Sequence, residues 1–264
     1  MANPSTAWAH ALAGQRLFPA TLSFDDPGVV SELPMVMVQR PHNTMLNAGL
    51  SKTITRRLGF SVATGYDQQN GSGQWQNGTV ALAYQVFRNG EHESIGMVQL
   101  ADTIGGVGPT PWSVYTPEFA FGQGMGLLPH RLRMLRPLAF TGALSMNVPA
   151  HSTIPRTLNW ALSAQYSVPY LQDFVRDEGL HGLWRNLIPI VELPMQRCES
   201  TACAGQTSGA VDPGVIWVGH DYQVGLEASF PINSRSGHDV GVLLGVDLYL
   251  DDIAPHRFGR PLLE

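Results

Sequence analysis

His238–Asp251 reads HDVGVLLGVDLYLD, and its residues sort by parity. Val240, Val242, Leu244, Val246, Leu248 and Leu250 fall on one side, and Asp239, Gly241, Leu243, Gly245, Asp247, Tyr249 and Asp251 on the other. Successive side chains of a strand point to opposite faces, so the segment has one unbroken apolar face and one that is mostly small or acidic. A single strand of this kind suits any half-buried sheet. Recurrence is what decides the fold.

The same sorting returns along the chain. In Tyr222–Ile232 the residues Tyr222, Val224, Leu226, Ala228, Phe230 and Ile232 oppose Gln223, Gly225, Glu227, Ser229 and Pro231. In Leu158–Tyr170 the set Leu158, Trp160, Leu162, Ala164, Tyr166, Val168 and Tyr170 opposes Asn159, Ala161, Ser163, Gln165 and Ser167. Comparable runs lie at Leu138–Asn147, Thr79–Val86 and Leu58–Asp67. They match the roughly 9–11 residues of a tilted transmembrane strand better than the common globular strand of about 5–6. Gly, Ala, Ser, Thr, Gln and acids on the second face suit a wet lumen, and aromatic residues near strand ends on the apolar face suit a lipid belt with girdles. The expected fold is therefore all-β, an antiparallel transmembrane β-barrel, and a soluble sandwich or barrel is the competing architecture.

Composition agrees. Charged residues make up 14% of the 264, below the usual quarter, and 28 Gly and 19 Pro supply many turns. No apolar run reaches the roughly 18 residues of a membrane helix, so insertion has to be by strands. A net charge of −5 and the lack of a Lys/Arg cluster argue against nucleic acid as a partner. Lysine occurs once, at Lys52. The opening MANPSTAWAHALAGQRLF lacks a basic stretch followed by an apolar one, so no signal peptide is legible, and the chain is read as the mature form of an exported protein.

Turn signals delimit twelve strands, at about 33–40, 44–55, 58–68, 77–88, 92–102, 112–123, 137–147, 156–169, 187–197, 213–219, 221–232 and 238–251. An even count puts both termini on one side, the periplasmic one in a bacterial barrel. The connections alternate. Loop-like ones at Gln68–Gln76, Thr103–Pro111, Pro149–Pro155, Gln196–Asp212 and Asn233–Gly237 face tight ones at Thr55–Arg57, Arg88–His92 and Gly219–Asp221. Gly124–Arg136 and Leu171–Asn186 are longer and predict short periplasmic helices. The chain divides into an N-terminal periplasmic or plug segment (1–32), the barrel (33–251) and a C-terminal periplasmic tail (252–264). Residues 1–32, with Phe24-Asp25-Asp26-Pro27, are long enough to tuck inside.

Cys198 and Cys203 share the longest loop. Two cysteines cannot close a tetrahedral metal site, and a disulfide is expected, with no metal and no cofactor. His92-Glu93-Ser94 and His151-Ser152 raise a phospholipase reading, but the first falls at a tight turn and lacks an evident orienting partner, so no enzyme is expected. The sequon Asn77-Gly78-Thr79 is read as chance. Trp75, Trp112 and Tyr115 fit an interface girdle, or a surface that docks a protein partner.

Several segments carry a family resemblance: LFPATLSFDDPGV, FRNGEHE, PWSVYTPEFAFGQGMGLLP, LRPLAFTG, SVPYLQDFVRDEGL, LIPIVE, DPGVIWVG, YQVGLEASFPIN and LDDIAPHRFGRPLL. In these the chain resembles a group of proteobacterial and acidobacterial outer-membrane proteins, usually labelled transporters, that are similar to the barrels associated with the meta-pathway of phenol degradation. The resemblance spans nearly the whole chain and implies an outer-membrane barrel that passes small molecules. Its motifs sit at turns and strand ends and carry no catalytic residues.

Five acids fall on the small or polar face: Asp67, Glu118, Glu192, Glu227 and Asp247. Inside a barrel they make an acidic lumen that favours cations. The bland alternative is that they are solvated groups or partners of an inward arginine. The expected function is a channel or transporter for small molecules in the bacterial outer membrane, for cations or for small apolar or aromatic solutes. Membrane lipid and a small-molecule solute are the expected partners. A docking barrel that binds a protein partner, or a homo-oligomer, stands as the alternative, ahead of a phospholipase.

Overall fold

The computed structural model describes residues 11–201, 203, 205–255 and 257–263. Its strands are β1 (Ala11–Ala13), β2 (Arg16–Phe18), β3 (Glu32–Arg40), β4 (Asn43–Thr53), β5 (Leu58–Gln69), β6 (Ser72–Trp75), β7 (Thr79–Asn89) and β8 (Ser94–Thr103). They continue with β9 (Val114–Gly124), β10 (Leu138–Pro149), β11 (Thr157–Tyr166), β12 (Leu187–Cys198), β13 (Thr207–Val218), β14 (Tyr222–Pro231) and β15 (Gly241–Tyr249). Each ring strand pairs antiparallel with its chain neighbour, and β15 returns to β3, with Val246 opposite Met35. The result is a closed barrel of twelve strands, with β1–β2 a separate hairpin and β6 folding back on β5.

Parity fixes which side faces out. Leu82, Leu100, Leu144, Leu162, Leu226 and Val242 stand exposed on the outer surface, while Ala81, Ala101, Thr141, Ser163 and Gln165 are buried within. A continuous apolar exterior around a small and polar interior is the transmembrane type of barrel, the inverse of a soluble one. Aromatic pairs mark the strand ends: Trp75 against Tyr66 at 5.3 Å and Trp217 against Tyr222 at 5.5 Å.

All twelve expected strands form, but not all to the expected ends. The eighth, expected over 156–169, stops at Tyr166, where the Ser167 side chain caps a helical turn that takes Val168 and Tyr170 out of the strand, and the twelfth, expected over 238–251, is trimmed to Gly241–Tyr249. The tenth, expected over 213–219, begins at Thr207, so the loop expected over Gln196–Asp212 shrinks to 199–206. TSGAVD lacks the large lipid-facing side chains that betray a strand, yet Gly209 pairs with Met195 and Asp212 with Glu192. The loop expected at Gln68–Gln76 is largely a hairpin. Asn70 (φ 50°) and Gly71 (φ 82°) take the left-handed conformations of a tight two-residue turn and let β6 pair with β5.

The long connections at the terminus side contain the expected short helical turns, at His130–Leu135, Leu171–Val175 and Gly182–Asn186, the second of them extended backward by a turn at Val168–Tyr170. A last turn at Leu250–Ile253 leads into the tail. The tail is fastened by Lys52, whose buried ammonium donates to Ser31 Oγ at 3.0 Å, Phe258 O at 2.5 Å and Arg260 O at 2.7 Å. Cys198 and Cys203 form a disulfide, with Cα atoms 5.7 Å apart.

The occupied barrel interior as candidate functional site

The inner wall is not uniformly polar. Ile188, Ile190, Ile216 and Leu243 point inward and are buried around Leu22, a residue of the N-terminal segment. Residues 11–31 run inside the ring, and this explains an apolar patch where a wet lumen was expected.

The segment is held at three levels. At the terminus side Arg16, fully buried, donates from Nη2 and Nε to Glu93 Oε2 at 3.0 and 3.1 Å, from Nη1 to Pro137 O at 3.0 Å, and from Nη2 to Arg136 O at 2.5 Å. Its guanidinium carbon lies 3.7 Å from the centroid of the Tyr170 ring, a cation–π contact. Glu93 also accepts from the Tyr170 hydroxyl at 2.7 Å and the Gly126 amide at 3.0 Å. Burial, then the bond to Glu93, pushes the Tyr170 phenol up to about 12. Glu93 takes φ 48°, an unfavourable backbone for a non-glycine residue, so the surrounding contacts must hold it there.

At mid-height the Gln223 amide exchanges two hydrogen bonds with the Ala20 backbone, at 3.2 and 2.8 Å. The Glu192 carboxylate accepts from two consecutive amides, Leu22 N at 3.0 Å and Ser23 N at 2.9 Å, and Ser23 Oγ donates to Asp212 Oδ2 at 2.7 Å. A carboxylate gathering adjacent N–H groups is a strong, charge-assisted fastening. Further on, Asp25 accepts from Gln99 at 2.7 Å, and Gln85 accepts from the Val29 amide at 3.2 Å.

The five sequence-derived acids separate into different environments. Glu192 (0% exposed), Glu227 (2%) and Asp247 (3%) are buried on the inner wall. Glu227 lies against Glu192, and Asp247 against Glu32. Glu227 and Asp247 occupy adjacent strands but are not opposite each other: Glu227 faces Leu243 and Asp247 faces Gln223. Glu118 borders a space of about 220 Å³ shared with Ser23, Asp25 and Asn159. Asp67 sits near the loop end and accepts from Asn43 Nδ2 at 3.0 Å.

Sequence reasoning missed Asp212, Glu32, Arg16 and Glu93. Asp212 was hidden by its assignment to a loop, although Ala210, Asp212, Gly214 and Ile216 continue one parity. Glu32 is one residue before the expected first strand and on the inward parity of Asp247. For Arg16 and Glu93, 77 positions apart, the sequence carries no pairing signal.

The remaining candidates take structural places. His92 and Ser94 share no hydrogen bond among the described residues, and Glu93 between them is the anchor of Arg16. His151 stacks on Trp112 at 4.6 Å and contacts the Thr153 hydroxyl. The buried Asn77 side chain bonds Ile104 O at 2.7 Å and both Thr110 O and N, at 2.8 and 2.9 Å, so its amide is fully used in pinning a loop. Among the described residues no group of His, Cys, Asp and Glu is arranged to hold a metal ion.

Fold and site together define a twelve-stranded barrel of the transmembrane type with a chain segment inside it. No family model matches the sequence, and no curated protein does. Among solved structures the chain is similar to the KdgM porin, with 9% identity, a TM-score of 0.54, and coverage of 82% of this chain and 98% of that one. It is also similar to the NanC porin, with 8% identity, a TM-score of 0.55, and coverage of 83% and 99%. At such identity the likeness is one of fold.

Proposed function

We propose that the protein is a bacterial outer-membrane channel for small solutes whose bore is closed at rest by its own N-terminal segment. The observation that carries this reading is the double acceptance by Glu192 of the Leu22 and Ser23 amides, which ties the N-terminal segment to the wall at mid-bore. The apolar exterior supports membrane insertion, and the likeness in fold to porins supports passage. A KdgM porin has been solved in complex with disordered oligogalacturonate. For this chain the family resemblance of its turn motifs adds small aromatic molecules to the candidate solutes.

With the segment displaced, Glu118, Glu192, Glu227 and Asp247 would face open water in the bore and favour cations. The test is planar-bilayer conductance of the refolded protein, with the reversal potential taken in a salt gradient. Brief cation-selective openings, with selectivity lowered by Glu227→Gln or Asp247→Asn, are expected. Wide anion-selective steps unaffected by both substitutions would overturn the acidic-bore reading, and permanent silence of inserted protein would overturn the channel.

A further inference from the structure

Above the N-terminal segment, at the loop end, the barrel opens into a vestibule of about 520 Å³. Its floor is Leu22, Ser23 and Asp212, and its walls carry Asn47, Gln196 and Ser229. Two arginines, Arg40 and Arg235, border it near the rim. Neither guanidinium is engaged in an ion pair among the described residues.

Both arginines are nevertheless placed by the fold. The Arg40 side chain passes over Gly241 on the neighbouring strand, where a Cβ would come within 3.3 Å of Arg40 Cγ and Nε. Arg235 sits in a turn whose shape Asn233 fixes: Asn233 Oδ1 accepts from the Arg235 and Ser236 amides at 3.0 Å, and Asn233 Nδ2 donates to Thr207 O at 3.1 Å. Ser236 Oγ in turn accepts from the Gly209 amide at 2.9 Å. The backbone is pinned while the charged head is free.

The floor has the complementary chemistry. Asp212 lines the vestibule and is 2% exposed; its Oδ2 takes the Ser23 hydroxyl, and its buried Oδ1 receives no hydrogen bond among the described residues. An unpartnered buried carboxylate oxygen calls for a donor, ideally a charged one. Free guanidiniums call for a carboxylate.

We propose that the vestibule binds a small zwitterionic solute, with its carboxylate at Arg40 and Arg235 and its protonated amine at Asp212. The inference names the solute class of the proposed channel and rests on that reading only for the direction of entry. Binding of one end alone leaves the other set of charges unsatisfied, so both ends are needed for affinity.

The experiment is calorimetric titration of the folded full chain in detergent with a matched series at neutral pH: 4-aminobutyrate, butyrate and n-butylamine. 4-Aminobutyrate is expected to bind at least about tenfold tighter than either analogue. The double substitution Arg40→Gln with Arg235→Gln should reduce it to the level of n-butylamine, and Asp212→Asn to that of butyrate. Equal binding of butyrate or of n-butylamine, or no binding by any of the three, overturns the proposal. Asp212→Asn loses an acceptor charge beside Ser23, so should that variant fail to fold, the exposed rim pair and the ranking of the three probes decide. A protein that conducts ions but binds none of the three loses the site and keeps the channel; one that binds with this ranking but never conducts keeps the site and loses the channel.

Discussion

The Arg16 guanidinium and the Glu93 carboxylate meet inside the terminus-side end of the barrel, 3.0 Å apart, with Arg16 wholly buried. Removing one member of such a pair leaves the other charged and uncompensated, at a cost of about 3–5 kcal/mol. Arg16→Ala should therefore free the N-terminal segment at its anchored end. Amide exchange over residues 16–28 is expected to quicken, and the fraction of time spent conducting to rise; unchanged exchange would show that the segment is not held there.

Leu22 belongs to a buried cluster with Ile188, Ile190, Ile216 and Leu243, and its side chain lies over Gly225 and Gly245. Truncation of a packed leucine costs about 2–5 kcal/mol, and a change to methionine usually less than about 1.5. Leu22→Ala should loosen the segment at mid-bore and raise conductance, while Leu22→Met should resemble the unmodified protein. Equal behaviour of the two variants in single-channel recordings would contradict this packing account.

Burial pushes the Asp251 carboxyl, in the turn after the last strand, up to about 6. A group whose value is raised on folding stabilises the docked state below its unfolded value and loses that contribution as pH climbs through the raised one. The C-terminal tail, packed on Asp251 at Gly259, should therefore be better protected from proteases at about pH 5 than at about pH 8. Asp251→Asn should shrink the difference, leaving the smaller share of Asp252, which burial also raises.

The Cys198–Cys203 disulfide closes a loop of sequence separation 5. Chain-entropy reasoning gives a crosslink that short about 2 kcal/mol, confined to the loop. Reduction should leave the barrel's resistance to detergent unfolding nearly unchanged and speed cleavage within 199–206. A large fall in barrel stability would mean that the loop braces the wall.

Strand periodicity carried most of the fold because a lipid-facing residue and a lumen-facing residue cannot exchange places. Leu244 and Gly245, or Leu162 and Ser163, declare their sides without reference to anything distant. The start of β13 escaped notice since Thr207, Ser208 and Gly209 are too small to advertise a lipid face. The same logic set Glu192, Glu227 and Asp247 inward, but their occupants were invisible. Leu22 and Ser23 reach Glu192 across 170 and 169 positions, and backbone amides leave no trace in residue type.

Those long reaches bear on how the molecule assembles. Ala20 bonds Gln223 across 203 positions, and Leu22 sits among side chains of β12, β13 and β15. Contacts so remote in sequence form late, since the loop they close must first be ordered. The N-terminal segment, although made first, acquires its binding surface only when the last hairpins are in place. A nascent ring would thus stay unobstructed until the β15–β3 seam closes, and seating of the segment would report that closure is complete.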